Sequence, residues 1–221
     1  MSAALDHLVV MAASLDEGVA WCEDRLGVAP GPGGEHPLMG THNRVLGLAS
    51  PEFPRAYLEI IAINPGAIHA LLAGARRWFD MDDAALRARV AQHGPQLIHW
   101  VARVPDIQPA VAALQALGIE RGAVLQASRG TLRWQITVRD DGQRLFDGCL
   151  PTLIQWGDVH PSHTMPGSGI ALHGLRVVHP EADALRAAYR AIGLAHVPIE
   201  AGPARLTAQL QTPDGLLEIH S

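Results

Sequence analysis

The feature that most constrains the fold is a unit written three times along 221 residues. Each copy opens with a short apolar strand carrying a histidine near its middle: LDHLVVM at 5–11, LIHWVARV at 97–104 and IALHGLRVV at 170–178. A capped segment of helical spacing follows and stops at a glycine suited to a left-handed cap, Gly27, Gly118 or Gly193. The register barely varies: His7 stands 20 residues before Gly27, His99 19 before Gly118, and His173 20 before Gly193. Two clear strands close each copy, at 41–48 and 56–63, at 131–138 and 151–156, and at 205–212 and 215–220. A weaker strand precedes them near 34–38, 122–127 and 196–200. Each copy therefore reads β-α-β-β-β.

Helices that follow only the first strand of each unit predict an α+β fold, with an antiparallel-rich sheet and its helices on one face. The expected divisions are a first βαβββ module at 1–64, a helical insertion at 65–94, a second module at 95–157 and a third at 158–221. Residues 157–169, GDVHPSHTMPGSG, read as a polar loop or linker.

Composition removes several function classes. All 17 basic residues are arginine, so lysine Schiff bases, lysine-bound pyridoxal phosphate and a phosphate-cradling P-loop lysine are excluded. A net charge of −5 with scattered arginines gives no stripe for a nucleic-acid backbone. No apolar stretch approaches the roughly 18 to 20 residues of a membrane span. The N-terminus lacks a basic region followed by a long apolar run, so a cytoplasmic protein is expected. Two cysteines, Cys22 and Cys149, make neither a disulfide framework nor a thiolate metal site.

The chemistry sits where polar residues interrupt apolar strands. The last strand of each copy holds one: Glu59 in YLEII, Gln155 in LIQW, Glu218 in LLEIH. Strand alternation puts His7 on one face with Leu5, Val9 and Met11, and Glu59 on one face with Tyr57 and Ile61. If the first and last strands of a module are neighbours, its histidine and acid meet. Two facing modules then gather His7, Glu59, His99 and Gln155. A carboxylate buried among leucines costs several kcal/mol unless it is paired or bound to a cation. A divalent metal (Zn, Ni, Mn, Co or Fe) meets that need, and so does a His–Glu hydrogen bond in each module. His42 and Asn43 in GTHN read as a turn cap or as catalytic and substrate contacts. Trp100 is a candidate substrate contact beside His99. Arg133 suits a substrate carboxylate and Trp134 an apolar wall; a surface arginine and a core tryptophan are the plainer reading. HPSH at 160–163 is either loop or a contributor to the site.

A tandem βαβββ module with histidine in its first strand and glutamate in its last resembles the vicinal oxygen chelate superfamily. LDHLVV, RLGV, GGEHPLMGTHN, YLEIIA, HWVARV, LRW and PTLIQW, in that order, are similar to its longer glyoxalase-like domain subgroup. The resemblance implies two modules closing a cupped, open β-barrel with helices outside. It also implies a metal held by His7, Glu59, His99 and Gln155 and chelated by vicinal oxygens of a small substrate. Glu59 becomes the base that moves a proton beside a carbonyl, in proton-transfer or lyase chemistry. A homodimer is expected. The superfamily also contains metal-free binding proteins of bleomycin-resistance type and non-haem-iron dioxygenases; here Gln155 stands where the latter carry glutamate. The third module is additional to the pair.

Overall fold

Every side chain from Leu5 to Met11 is buried, the mark of a strand covered on both faces. The computed structural model, which describes residues 2–67 and 76–221, shows what covers it. The first copy forms β1 (Ala4–Met11), α1 (Leu15–Leu26), β2 (Gly31–His36), β3 (Thr41–Gly47) and β4 (Tyr57–Ile63). After α2 (Ala84–His93), the second forms β5 (Gln96–Arg103), α3 (Ile107–Gln115), β6 (Ala123–Arg129), β7 (Leu132–Val138) and β8 (Thr152–Trp156). The third gives β9 (Ala171–His179), α4 (Ala182–Ala191), β10 (Ile199–Ala201), β11 (Arg205–Thr212) and β12 (Gly215–His220).

The first two copies share one eight-stranded sheet, ordered β2-β3-β4-β1-β5-β8-β7-β6. Each half repeats the same pairing, last strand parallel to first, and the halves join where β1 runs antiparallel to β5. The sheet curls into the expected open cup with α1, α3 and α4 on its convex side, while Leu86 and Val90 of α2 join the concave cluster. Leu8, Val10, Leu58 and Trp100 point to the convex side and pack with Cys22 of α1 and Leu114 of α3. Val9, Met11, Ile61 and Val101 point to the concave side and form a second core with Trp78, Phe79 and Met81. α1 forms where its signals lie: Ser14 Oγ accepts from Glu17 N, and Gly27 takes a left-handed φ of 70°.

The third copy departs from the other two. Its separate sheet runs β10-β9-β11-β12, so the first strand pairs with the second and third and never meets the last. His173 is exposed and sits at a bulge, skipped between the pairs Gln209–Gly174 and Leu210–Leu172. Glu218 instead accepts from Gln209 Nε2 at 2.9 Å. The sequence register of His173 therefore copies no site. This module packs α4 on the convex side, with Tyr189 edge-on to Trp100 and its hydroxyl donating to Cys149 O at 2.6 Å.

Part of the expected helical insertion, residues 68–75, lies outside the described residues. Of the rest, only α2 is helical, and the turn at 78–82 enters the cup. Among the described residues no helix is long and apolar enough to cross a membrane.

Candidate functional site

The concave face holds a cavity of about 350 Å³ whose polar end belongs to the first module. Parallel pairing sets Val9 opposite Glu59 and His7 opposite Tyr57, so the two functional side chains are diagonal neighbours on one face. Both are only 5% exposed. His7 Nε2 lies 3.6 Å from Glu59 Oε2, and the imidazole stacks on Tyr57 at 4.5 Å between centroids. The other oxygen, Oε1, accepts from Asn43 Nδ2 at 2.6 Å. Asn43 is oriented in turn, because its Oδ1 accepts from Gly34 N at 2.8 Å. A Cβ on Gly33 would collide with Asn43, so the glycines of β2 permit this approach.

A bulge supplies the next layer. Pairing of β1 with β5 skips Asp6, between Leu5–Ala102 and His7–Val101. Alternation alone would send Asp6 away from His7; the bulge brings their side chains together. Asp6 Oδ1 accepts from His7 Nδ1 at 2.7 Å, while Oδ2 receives Trp156 Nε1 at 3.1 Å and His160 Nε2 at 2.9 Å. Burial on its own raises the Asp6 pKa, but the hydrogen bonds from His160 and His7 outweigh it and hold the carboxyl well below its usual range. An ionised Asp6 fixes the proton on His7 Nδ1 and leaves Nε2 turned toward Glu59 and the cavity. His160, in the segment expected to be a linker, thus ties residues 157–166 across the cup mouth.

His36 completes this end. Its Nε2 is 3.9 Å from Glu59 Oε1, and Nδ1 is 3.1 Å from Thr41 Oγ1. Burial pushes its imidazole down to about 4 against the opposing influence of Glu59, so it is neutral at pH 7.

In the second half of the cup the strand histidine is engaged by the protein itself. His99 shares the concave face, but Nδ1 is bonded to Gly148 O and Nε2 to Thr152, both at 3.0 Å. Phe79 lies over the ring at 5.0 Å. Phe79 and Asp80 both adopt left-handed φ near 60°, a costly turn held by Asp80 accepting from Arg144 N and Nε. Burial, with Arg121 and Arg144 nearby, keeps His99 far below its ordinary pKa. Gln155 faces the other way: its Oε1 accepts from Ile107 N at 2.8 Å, at the first turn of α3. In β8 it is Ile154 and Trp156 that line the cavity.

The four-ligand set His7, Glu59, His99 and Gln155 is therefore not assembled. His7 and Glu59 meet, His99 has no free nitrogen, and Gln155 is on the opposite face. Among the described residues no group of three or more His, Cys, Asp or Glu side chains is arranged to hold a metal ion. The four donors that the resemblance implies do not fit a metal together, because His99 and Gln155 are engaged elsewhere.

Other expectations divide by strand alternation. Asn43 and Trp134 face the cavity. His42, between Thr41 and Asn43, faces away toward Ser14 and Asp16 and is no part of the cavity's polar end. Trp100 is fully buried on the convex side, its Nε1 donating to Cys149 O at 3.1 Å, so it touches no ligand in the cup. Arg133 is exposed and bonded to the carbonyls of Gly130 and Leu132. Arg129, on the same hairpin, lines the cavity instead. Sequence reasoning missed Asp6, His36, Arg129 and Trp156 as site residues. Asp6 carried the one usable signal, a carboxylate next to the strand histidine.

Comparison with known proteins agrees with this architecture. A family profile described as "Glyoxalase-like domain" matches residues 5–193. A hypothetical protein from Staphylococcus aureus has the same fold, with TM-score 0.60 and 15% identity over 92% of this chain and 88% of that one. Streptomyces coelicolor methylmalonyl-CoA epimerase, in complex with 2-nitronate-propionyl-CoA, aligns at TM-score 0.42 and 16% identity over 69% and 92%. Methylmalonyl-CoA epimerase from Mycobacterium tuberculosis aligns at 0.38 and 19% over 69% and 85%. No curated protein matches the sequence.

Proposed function

Because the chain belongs to the glyoxalase-like domain family of the vicinal oxygen chelate superfamily, we propose that its cup houses a proton-transfer enzyme for a small oxygenated molecule. The observation that carries this reading is Glu59: a carboxylate buried in a cavity, fixed at one oxygen by Asn43 and facing His7 with the other. Such a group accepts a proton from a carbon beside a carbonyl, and the electron pair left behind moves onto the carbonyl oxygen as an enolate. His7, oriented by Asp6, takes up or returns that proton through Nε2. Reprotonation at carbon completes an isomerisation or epimerisation with no net redox change. The aromatic wall of Trp134 and Trp156 receives the apolar part of the substrate and excludes water. No step is routed through a metal, because His99 and Gln155 of the implied ligand set are engaged elsewhere.

The test is hydrogen–deuterium exchange at carbons beside the carbonyl, followed by proton NMR with a panel of small ketones and 2-oxo acids in deuterium oxide. Exchange is expected with the wild-type protein and to persist in chelator. Glu59→Gln is expected to slow it by about 10²- to 10⁴-fold with the fold retained. Exchange at the wild-type rate in that variant, or none with any compound, would overturn the reading. Binding without exchange would instead favour a metal-free binding protein, which the aromatic wall alone would suit.

A further inference from the structure

We infer that Arg129 is the anion-recognition group of this cup, and that its ligand carries a carboxylate at one end and an apolar body at the other. The inference rests on the cup being the substrate site proposed above. Arg129 ends β6 and lines the same cavity as Glu59, His7 and His36. Its Nη1 is buried yet meets no hydrogen-bond partner among the described residues. A buried guanidinium nitrogen left unmatched is unfavourable, and native proteins tolerate few such groups. Arg133 and Arg103 are matched to main-chain carbonyls, Arg133 to Gly130 and Leu132 and Arg103 to Leu5. Arg121 donates to Pro151 O but also keeps a buried, unmatched Nε, and unlike Arg129 it does not line this cavity.

The opposite strand makes room for this side chain. A Cβ on Gly34 would collide with Nη1, Cδ and Cζ of Arg129, so the guanidinium lies directly over a stretch of β2 without side chains. An arginine from the second module thereby reaches across the cup to the polar end built by the first. Its positive charge is felt there, acting on both His36 and Tyr57.

The ligand class follows from the surroundings. One planar guanidinium fork matches a carboxylate. No lysine exists anywhere in the chain to share the second charge of a phosphate. Trp134, Trp156, Leu132 and Ile154 line the rest of the cavity and suit an apolar body. A volume of about 350 Å³ limits that body to a small molecule.

The test measures binding by calorimetry in the Glu59→Gln protein, so that anion recognition is read apart from proton transfer. The probes are phenylacetate, its neutral isostere phenylacetamide, and benzylphosphonate. Phenylacetate is expected to bind about tenfold or more tighter than phenylacetamide. Adding Arg129→Gln should erase that preference while leaving phenylacetamide binding unchanged, and Arg129→Lys should keep part of it. Gly34→Ala, which displaces the guanidinium and keeps its charge, should also weaken phenylacetate selectively. Equal affinity for acetate and amide, including no measurable affinity for either, overturns the inference. So does a preference that survives Arg129→Gln, or benzylphosphonate binding tighter than phenylacetate. Preference without exchange by the wild-type protein rejects the proton-transfer reading and leaves Arg129 in its role; exchange without preference does the reverse.

Discussion

The two halves of the cup share strand order, pairing and a histidine in the equivalent strand, yet only one half keeps that histidine available. In the first, His7 has one nitrogen held by Asp6 and the other facing Glu59 across 3.6 Å. In the second, His99 has both nitrogens bonded to the protein and Phe79 above its ring. The acid position diverges the same way. Glu59 points into the cavity, whereas the carboxamide of Gln155 caps the start of α3. Repetition copies the backbone, and chemistry is then kept or retired by what lands on each face. The turn at Phe79 and Asp80, which comes from the insertion between the modules, lies against His99 and leaves His7 lining the cavity.

The sharpest way to break this contrast is acid, since both halves contain neutral buried imidazoles. His36 sits at about 4 instead of 6.5, and His99 lies far below its ordinary value, each because burial disfavours the charged form. The unfolded chain therefore binds more protons than the folded one between pH 6.5 and 4, so stability falls as pH falls through that window. His36 alone is worth about 3 kcal/mol, and His99 adds to it. Asp6 acts lower down: its stabilisation is complete above the ordinary carboxylate value of 3.8 and is lost as pH falls below it. Urea unfolding at pH 7, 5.5 and 4 should show the decline, and His36→Gln should flatten it. A flat profile in the wild-type protein would mean that these imidazoles are not buried neutral.

His99→Ala separates the halves directly. It leaves Gly148 O and Thr152 without their partner and opens a cavity under Phe79, at a cost of about 2 to 3 kcal/mol. Exchange activity per folded molecule should be unchanged, whereas His7→Ala should lower activity per folded molecule. Activity lost beyond the unfolded fraction in His99→Ala would restore that residue to the site.

Much of this was legible beforehand, for physical reasons that differ by residue. The modules showed because histidine and glycine recur at a fixed spacing and strand periodicity is a local property. The His7–Glu59 meeting showed because alternation fixes a face once two strands are neighbours. The same rule puts His42 and Asn43, and likewise Arg133 and Trp134, on opposite faces, but it did not say which of each pair meets the cavity; the structure gives Asn43 and Trp134. Asp6 was hidden by a bulge, which breaks the period of two without leaving a trace in sequence. Arg129 was hidden because its place beside the polar end of the cup depends on one glycine, Gly34, about a hundred residues away in β2. His99 and Gln155 misled because both sit at sequence positions equivalent to their counterparts, while their partners come from Gly148, Thr152 and the start of α3. Such contacts are tertiary and leave no periodic mark.

Gln155 gives the smallest and most diagnostic effect. As a helix cap, its Oε1 satisfies one of the free amides of α3, that of Ile107, which is buried in the convex core. Gln155→Ala should then cost about 1 kcal/mol, read as a small drop in the urea midpoint. Exchange rate and carboxylate affinity should match those of the parent protein, because the side chain never enters the cavity. Gln155→Glu discriminates further: a carboxylate accepts from the same amide and complements the helix N-terminus, so stability should be equal or slightly higher. A metal ligand would behave in the opposite way, with glutamate enhancing ion binding and alanine abolishing it. Metal content that followed residue 155 would return the second half of the cup to the chemistry from which its hydrogen bonds now exclude it.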